Sequence, residues 1–384
     1  MIPYARHEIS PSDVSAVVSL LKESSLTQGS MVPLFENKIS SRVGSKHAVA
    51  VSSATAALHL ACIALDLKKG DYLWTSPNSF VASANCALYC GANVDFVDIN
   101  PRTYNICVNA LEEKLVIANK LGNLPKIIVP VHFAGQSSDV ERIFELSRYF
   151  GFKVLEDASH AIGGLRGDYP IGSCKYSDAA VFSFHPAKII TTGEGGMVTT
   201  NCDVTAERIR MLRSHGITRN PHLFENSVAG DWYYEQLDLG FNYRLTDLQA
   251  TLGNSQADSL DLILKRRQDI VNRYNIALSS LPIELPYLDG RNLSANHLYV
   301  ITVKAESKVN RRQLFDHLRG LGIFVNVHYI PIPAQPFYRR LGFEVKDFPE
   351  ALNYYENAIS LPLFPSLLES EQAFVIDSIA KAFH

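Results

Sequence analysis

No segment of this 384-residue chain is long and apolar enough to span a bilayer, and Met1 to Glu8 lacks the charged-then-apolar pattern of a secretory signal. A cytoplasmic address with no membrane partner is therefore expected. There is no block of like charge: 36 Lys and Arg stand against 39 Asp and Glu, which leaves no basic patch for nucleic acid. Repeats and low-complexity tracts are missing, which removes solenoids and unstructured linkers. Cysteine is scarce and scattered. The six (Cys62, Cys86, Cys90, Cys107, Cys174, Cys202) form no CxxC pair, and no histidine stands at ligand spacing beside Cys86 and Cys90. Buried free thiols in a reducing compartment, without a metal, are the expectation. What is present is a 47% hydrophobic content, enough for two ordinary domains or one large domain with an appendage. Such a chain suits small-molecule chemistry.

Up to about residue 250, short apolar runs alternate with helical spacing. Ser10, Pro11 and Asp13 mark a helix start ahead of Val14, Val17, Val18 and Leu21, and Leu26 to Gly29 reads as a loop. Lys46 to Val51 reads as a strand, Ser52 to Thr55 as a small-residue turn, and Ala56 to Leu67 as an apolar helix. Further strands are expected at Tyr72 to Thr75, Val94 to Val97, Ile127 to Val131, Lys153 to Glu156, Ala179 to Phe184 and Met197 to Thr200, with a helix at Val140 to Phe150. This alternation predicts an α/β fold, a mostly parallel central sheet with helices on both faces. Beyond residue 250 the pattern changes. A long helix is expected over Leu248 to Leu264, with Lys265, Arg266 and Arg267 as its solvated end. Strands near Leu298 to Val303 and Ile323 to Val327 and helices near Arg311 to Leu318 and Ser366 to Ala382 follow, the last with a capping box from Ser366 to Glu369. The expected division is a large domain over 1–250 and a smaller α+β domain over 251–384.

Three clusters fall at the carboxyl ends of predicted strands, where open α/β sheets bind ligands: Pro77 to Phe80, Asp157 to His160, and Ser183 to Lys188. Lys188 follows an apolar run and precedes a turn with Gly193, Gly195 and Gly196. On a tight, dry turn a lysine loses part of its preference for the charged form and becomes an amine that condenses with a carbonyl; elsewhere the same residue would simply snorkel at a strand end. The turn at Ser52 to Thr55 reads either as an ordinary helix cap or as an anion site made of unpaired N–H groups. Asp157 reads either as a strand-end cap or as the partner of a protonated ring nitrogen. Phe80 is available to stack on an aromatic ring. A lysine, an acid and an anion cradle together match the needs of pyridoxal phosphate.

Glu156-Asp157-Ala158 and the Ser183-Phe-His-x-x-Lys188 segment resemble the motifs of the DegT/DnrJ/EryC1/StrS sugar aminotransferases, and the resemblance covers essentially the whole chain. It implies the aspartate-aminotransferase-like fold (pyridoxal phosphate fold type I). It implies catalytic roles for Lys188 and Asp157, and cofactor contacts from Ala54, Thr55, Phe80, His160 and Ser183. Gly240 to Arg244 resembles the loop by which one subunit reaches its neighbour's site, which implies a homodimer with Asn242 on the phosphate. Many members carry Gly where this chain has Ala54, and Gln where it has His160. Both variants occur in the branch serving pseudaminic acid biosynthesis, which this chain also resembles at Tyr4, Leu26 to Gly29, Asn78 to Asn85, Arg213 to Gly216, Asn296 to Tyr299 and Val327 to Tyr329. That branch implies transfer of the amino group of L-glutamate, leaving 2-oxoglutarate, to C4 of a UDP-linked 4-keto-6-deoxy-N-acetylhexosamine. Tyr4, Thr27, Gln28, His185, His328 and Tyr329 would face the sugar or nucleotide, although Tyr329 reads equally as packing for the small domain. The alternatives are amination of another nucleotide-linked 3- or 4-keto sugar, or a non-catalytic pyridoxal phosphate-binding sensor. A sugar 3-dehydratase would carry His in place of Lys188.

Overall fold

Ile127, Ile128 and Val129 are buried on both faces, the pattern of a strand inside a parallel sheet covered by helices. The computed structural model describes residues 1–23, 25–228, 230–288 and 290–383. Its central sheet has seven strands: β1 (His47–Val51), β2 (Tyr72–Thr75), β3 (Asn93–Phe96), β4 (Ile127–Val129), β5 (Lys153–Asp157), β6 (Ala179–Ser183) and β7 (Gly196–Thr200). They lie in the order β1-β7-β6-β5-β4-β2-β3. Strand β7 runs antiparallel to both neighbours, and the other pairs are parallel. The carboxyl ends of β1, β2, β4, β5 and β6 therefore reach one edge, where β7 begins beside Val51 and Ser183.

The helices α1 (Pro11–Glu23), α2 (Met31–Val43), α3 (Ala54–Ala64), α4 (Ala82–Tyr89), α5 (Val108–Leu121), α6 (Val140–Phe150) and α7 (Asp203–Leu212) belong to this layer. Ser10 caps α1 as expected: Asp13 N–H donates to Ser10 Oγ at 3.2 Å and Ser10 N–H to Asp13 Oδ2 at 2.8 Å. Helix α2 has no counterpart in the sequence reading. Its signal was there, since Val32, Phe35, Ile39 and Val43 recur at helical spacing and all are buried. Phe35 packs on Phe184 with ring centroids 5.0 Å apart, just before the lysine turn, so truncating it to Ala would cost about 3–5 kcal/mol.

Instead of one helix over Leu248 to Leu264 there are two, α8 (Asp247–Asp258) and α9 (Leu260–Leu278), joined at Ser259, whose N–H turns back to Gln256 O. The expected junction at residue 250 thus falls inside α8, which packs on α1 and α2. The basic cluster is no solvated helix end. It lies within α9, where Arg266 donates to Pro365 O and Leu367 O, and fully buried Arg267 donates to the carbonyls of Asn296, His297 and Leu363.

A second core gathers Ile270, Tyr274, Tyr299, Ile301, Leu314, Leu318, Ile359, Val375 and Ile379 around a three-stranded antiparallel sheet centred on Tyr299–Val303. Ile2 joins this core, because Ile2–Pro3 pairs in parallel with Ile323–Phe324. The start of the chain is thereby brought to its C-terminal third. The last helix begins at Glu369, so the Ser366 capping box is not formed; Glu371 instead reaches back to Leu368 N–H at 3.0 Å. Among the described residues no helix is long and apolar enough to cross a membrane.

Candidate active site

The expected turn at the end of β1 is an N-cap. Ser53 Oγ accepts from Ala56 N–H at 3.1 Å and α3 starts at Ala54, two residues earlier than its apolar run suggests. The N–H groups of Ala54 and Thr55 have no acceptor among the described residues and point out of a helix start, the positive end of its dipole. Gly196 at the start of β7 is required here. A Cβ on it would stand 2.4 Å from Ser53 O and 2.6 Å from Ala54 N, so only glycine lets the strand back onto this turn. Ser183, at the end of β6, faces the same space.

Lys188 sits on a turn closed by its own backbone. Phe184 N–H donates to Gly195 O, Thr192 N–H to Phe184 O, and Lys188 N–H to His185 O. Gly193, at φ 81°, supplies the left-handed residue this path needs. Among the described residues the Lys188 amine has no hydrogen-bond or ion-pair acceptor. Burial pulls its pKa down to about 8, while the Asp157 carboxylate works in the opposite direction.

Asp157 ends β5, 5% exposed. Ser83 Oγ donates to Oδ2 at 2.6 Å and Ser159 N–H to Oδ1 at 3.1 Å. Ser83 spends its one proton on Asp157, so Ser79 Oγ, 2.7 Å away, donates to Ser83. The two readings of Asp157 are compatible: the Ser159 bond is a strand-end cap, and the carboxylate keeps lone pairs for a ligand. Glu156 points to the other side of the sheet, as strand alternation demands, where His132 Nε2 bonds it at 2.6 Å and Ser177 O–H also donates. Ser138 N–H donates to His132 Nδ1, so Nε2 carries the proton. This buried pair steadies the strand end that presents Asp157.

One cavity of about 410 Å³ joins these parts. Of the residues expected from sequence, Tyr4, Ala54, Thr55, Phe80, Asp157, His160, Ser183, His185, Lys188, His328 and Tyr329 line it. Thr27 and Gln28 do not. They are exposed on a loop held by fully buried Asp247, which accepts from Gly29, Met31 and Val32 N–H. Asn242 is also exposed and outside this cavity; its segment runs beside Ser214, and Tyr243 O accepts from Ser52 N–H.

Sequence reasoning missed Ser79, Ser83 and His297 as functional residues. Ser79 and Ser83 had a signal, two hydroxyls four residues apart at a helix start. His297 had only its place in a motif. The structure buries it with Nδ1 lacking a hydrogen-bond partner and its ring 4.4 Å from that of His160, while Ala134 O and Arg267 hold its backbone. Burial pushes the pKa of His297 far down, and brings His328 to about 4 with help from Lys188. His328 Nδ1 is 2.8 Å from Ser360 Oγ, and Tyr4 packs on its ring at 5.3 Å.

An amine without a hydrogen-bond acceptor, a carboxylate with lone pairs to spare and an anion cradle free of basic side chains fit pyridoxal phosphate, bound between Lys188, Asp157 and the start of α3. Fold and site thus define an aspartate-aminotransferase-like enzyme of fold type I.

The chain belongs to the DegT/DnrJ/EryC1/StrS aminotransferase family, whose model matches residues 7–380. It is similar to the spore coat polysaccharide biosynthesis protein SpsC of Bacillus subtilis, 37% identical over 98% of this chain and 96% of that protein. It is similar also to the UDP-4-amino-4,6-dideoxy-N-acetyl-beta-L-altrosamine transaminase of Campylobacter jejuni, 36% identical over 99% and 96%. Among solved structures, the PMP form of the putative sugar aminotransferase Spr1654 from Streptococcus pneumoniae superposes with a TM-score of 0.91, at 28% identity over 100% of this chain and 99% of that one. The protein is a sugar aminotransferase that uses pyridoxal phosphate.

Proposed function

We propose that the protein moves the amino group of L-glutamate to the C4 keto carbon of a UDP-linked 4-keto-6-deoxy-N-acetylhexosamine, in pseudaminic-acid-type nucleotide-sugar biosynthesis. The observation that carries this reading is the single cavity that sets Lys188 and Asp157 against Tyr4, His328 and Tyr329. The name of the 36% identical Campylobacter jejuni relative supports the sugar.

Pyridoxal phosphate, when bound, supplies a carbonyl for amines and a ring that withdraws electrons from the carbon bearing the nitrogen. The chain's residues do the rest. Ala54 N–H, the Thr55 and Ser183 hydroxyls and the dipole of α3 would hold the phosphate, and Phe80 would cover the ring face. Asp157, held by Ser83 and Ser159, would keep a proton on the ring nitrogen. Lys188 would anchor the cofactor until glutamate's amine takes its place, and would then carry the proton released from glutamate's α-carbon. The same residues would serve the keto sugar in the opposite direction.

Incubation with glutamate and a panel of UDP- and dTDP-linked 3-keto and 4-keto sugars should yield one amino sugar from the UDP-linked 4-keto substrate, read by mass spectrometry and placed at C4 by NMR. An amine at C3, or efficient turnover only with a dTDP sugar, would move the protein to another branch.

The same reading makes it a homodimer with shared sites, Asn242 serving the phosphate of a second copy. Its exposure and its place outside the cavity of its own chain support this. Mixing inactive Lys188→Ala chains with impaired Asn242→Ala chains should regenerate wild-type-like sites in hybrid dimers. No recovery in proven hybrids would remove Asn242 from the neighbouring site.

A further inference from the structure

The family resemblance counts His160 among the cofactor contacts, in a place where many members carry Gln, yet both of its nitrogens are engaged within the protein. Ala134 N–H donates to Nδ1 at 3.3 Å, so Nδ1 carries no proton and the neutral ring bears its hydrogen on Nε2. This tautomer follows from the hydrogen-bond network. Nε2 lies 3.1 Å from Tyr329 Oη, and it must be the donor. The imidazole stays neutral, because burial together with Lys188 and His328 pushes its pKa far below the usual histidine value. Tyr329 Oη therefore accepts from His160 and cannot give its own proton back. Among the described residues no other protein atom accepts that proton, and Tyr329 lines the cavity beside Lys188.

We propose that Tyr329 is a catalytic residue, the hydrogen-bond donor that this pair presents to a reacting oxygen, and that His160 is the positioning residue that orders it. The acceptor chemistry is an oxygen next to the Lys188 amine. Two groups supply one: the cofactor's phenolic oxygen and the carbonyl oxygen of the incoming keto sugar. A donor already aimed there costs no reorganisation as charge develops, which is worth about 10²–10³-fold in rate for a single preorganised hydrogen bond. Burial and the Asp157 charge raise the phenol's pKa, so Tyr329 remains a donor throughout the usual assay range. The sugar assignment rests on the function proposed above; the cofactor assignment needs no sugar.

The test is Tyr329→Phe, which removes Oη and keeps the ring. In the holoenzyme without substrate, a shift in the absorbance maximum of the bound cofactor and in its pH titration would assign the cofactor oxygen. An unchanged spectrum, a normal glutamate half-reaction and a loss of about 10²–10³-fold in kcat of the sugar half-reaction would assign the sugar carbonyl. His160→Gln keeps one acceptor for Ala134 and one donor for Tyr329, and should recover much of the rate and spectral position that His160→Leu loses. His160→Leu has neither and should reproduce the spectral or half-reaction signature of Tyr329→Phe. A Tyr329→Phe enzyme with unchanged spectrum and rates, or one slowed equally in both half-reactions without a spectral change, overturns the proposal. If the proposed sugar proves wrong, the spectral arm and the glutamate half-reaction are unaffected, so the two failures are distinguishable.

Discussion

Lys188→Ala is expected to leave no turnover above background in the glutamate half-reaction, and no cofactor fixed to the chain by borohydride reduction. Loss of a positioned proton carrier alone removes about 10²–10⁴-fold, and the proposed mechanism makes this lysine the anchor as well. Among the described residues no other lysine lines the cavity, so none stands ready to replace it. The structure explains why this amine is suited to both tasks. Burial lowers its pKa to about 8, while the Asp157 carboxylate holds it from falling further. An amine attacks a carbonyl only when neutral, so cofactor capture by the apo-protein should speed up as pH rises and level off above a midpoint near 8. A midpoint near the ordinary lysine value would mean that the turn is wetter than its burial implies. Near-normal activity in Lys188→Ala would sink the mechanism as a whole.

Asp157→Asn is expected to fold and to bind much of the cofactor, yet to lose roughly a thousandfold in kcat, the scale on which a preorganised electrostatic contribution operates. The substitution changes little in shape. The oxygen of the new amide could still accept from Ser83 or from Ser159, which hold the carboxylate now. What goes is the negative charge that, in the proposed mechanism, keeps a ring nitrogen protonated. Steady-state rates beside a thermal melt separate the outcomes: a loss below about tenfold with an intact melt would reduce Asp157 to a strand-end cap. Ser83→Ala serves as a control of intermediate effect, because it removes one hydrogen bond and leaves the charge in place.

Much of this protein was legible from local pattern. Strand β2 and helix α6 occupy the spans read from sequence, because each is a single apolar period bounded by breakers. The helix over Met31–Val43 escaped notice although its buried positions were periodic, because Pro33 and the polar residues of its exposed face diluted the signal. The solvated basic end expected at Arg266 and Arg267 was wrong for a deeper reason. Nothing in a run of basic residues tells that carbonyls from three distant segments will gather around one of them.

The sequence by itself determined the class of fold, the cofactor and the two residues proposed at its centre, because each rests on a contiguous motif whose meaning survives without coordinates: a lysine between an apolar strand and glycines, and an acid at a strand end. Tertiary structure decided what holds those residues and which way their protons point. Ser83 meets Asp157 across 74 positions, and Tyr329 meets His160 across 169. The carboxylate fixes Ser83 as a donor and so makes Ser79 donate to it, and Ala134 N–H fixes the His160 tautomer; only folding brings these groups within reach.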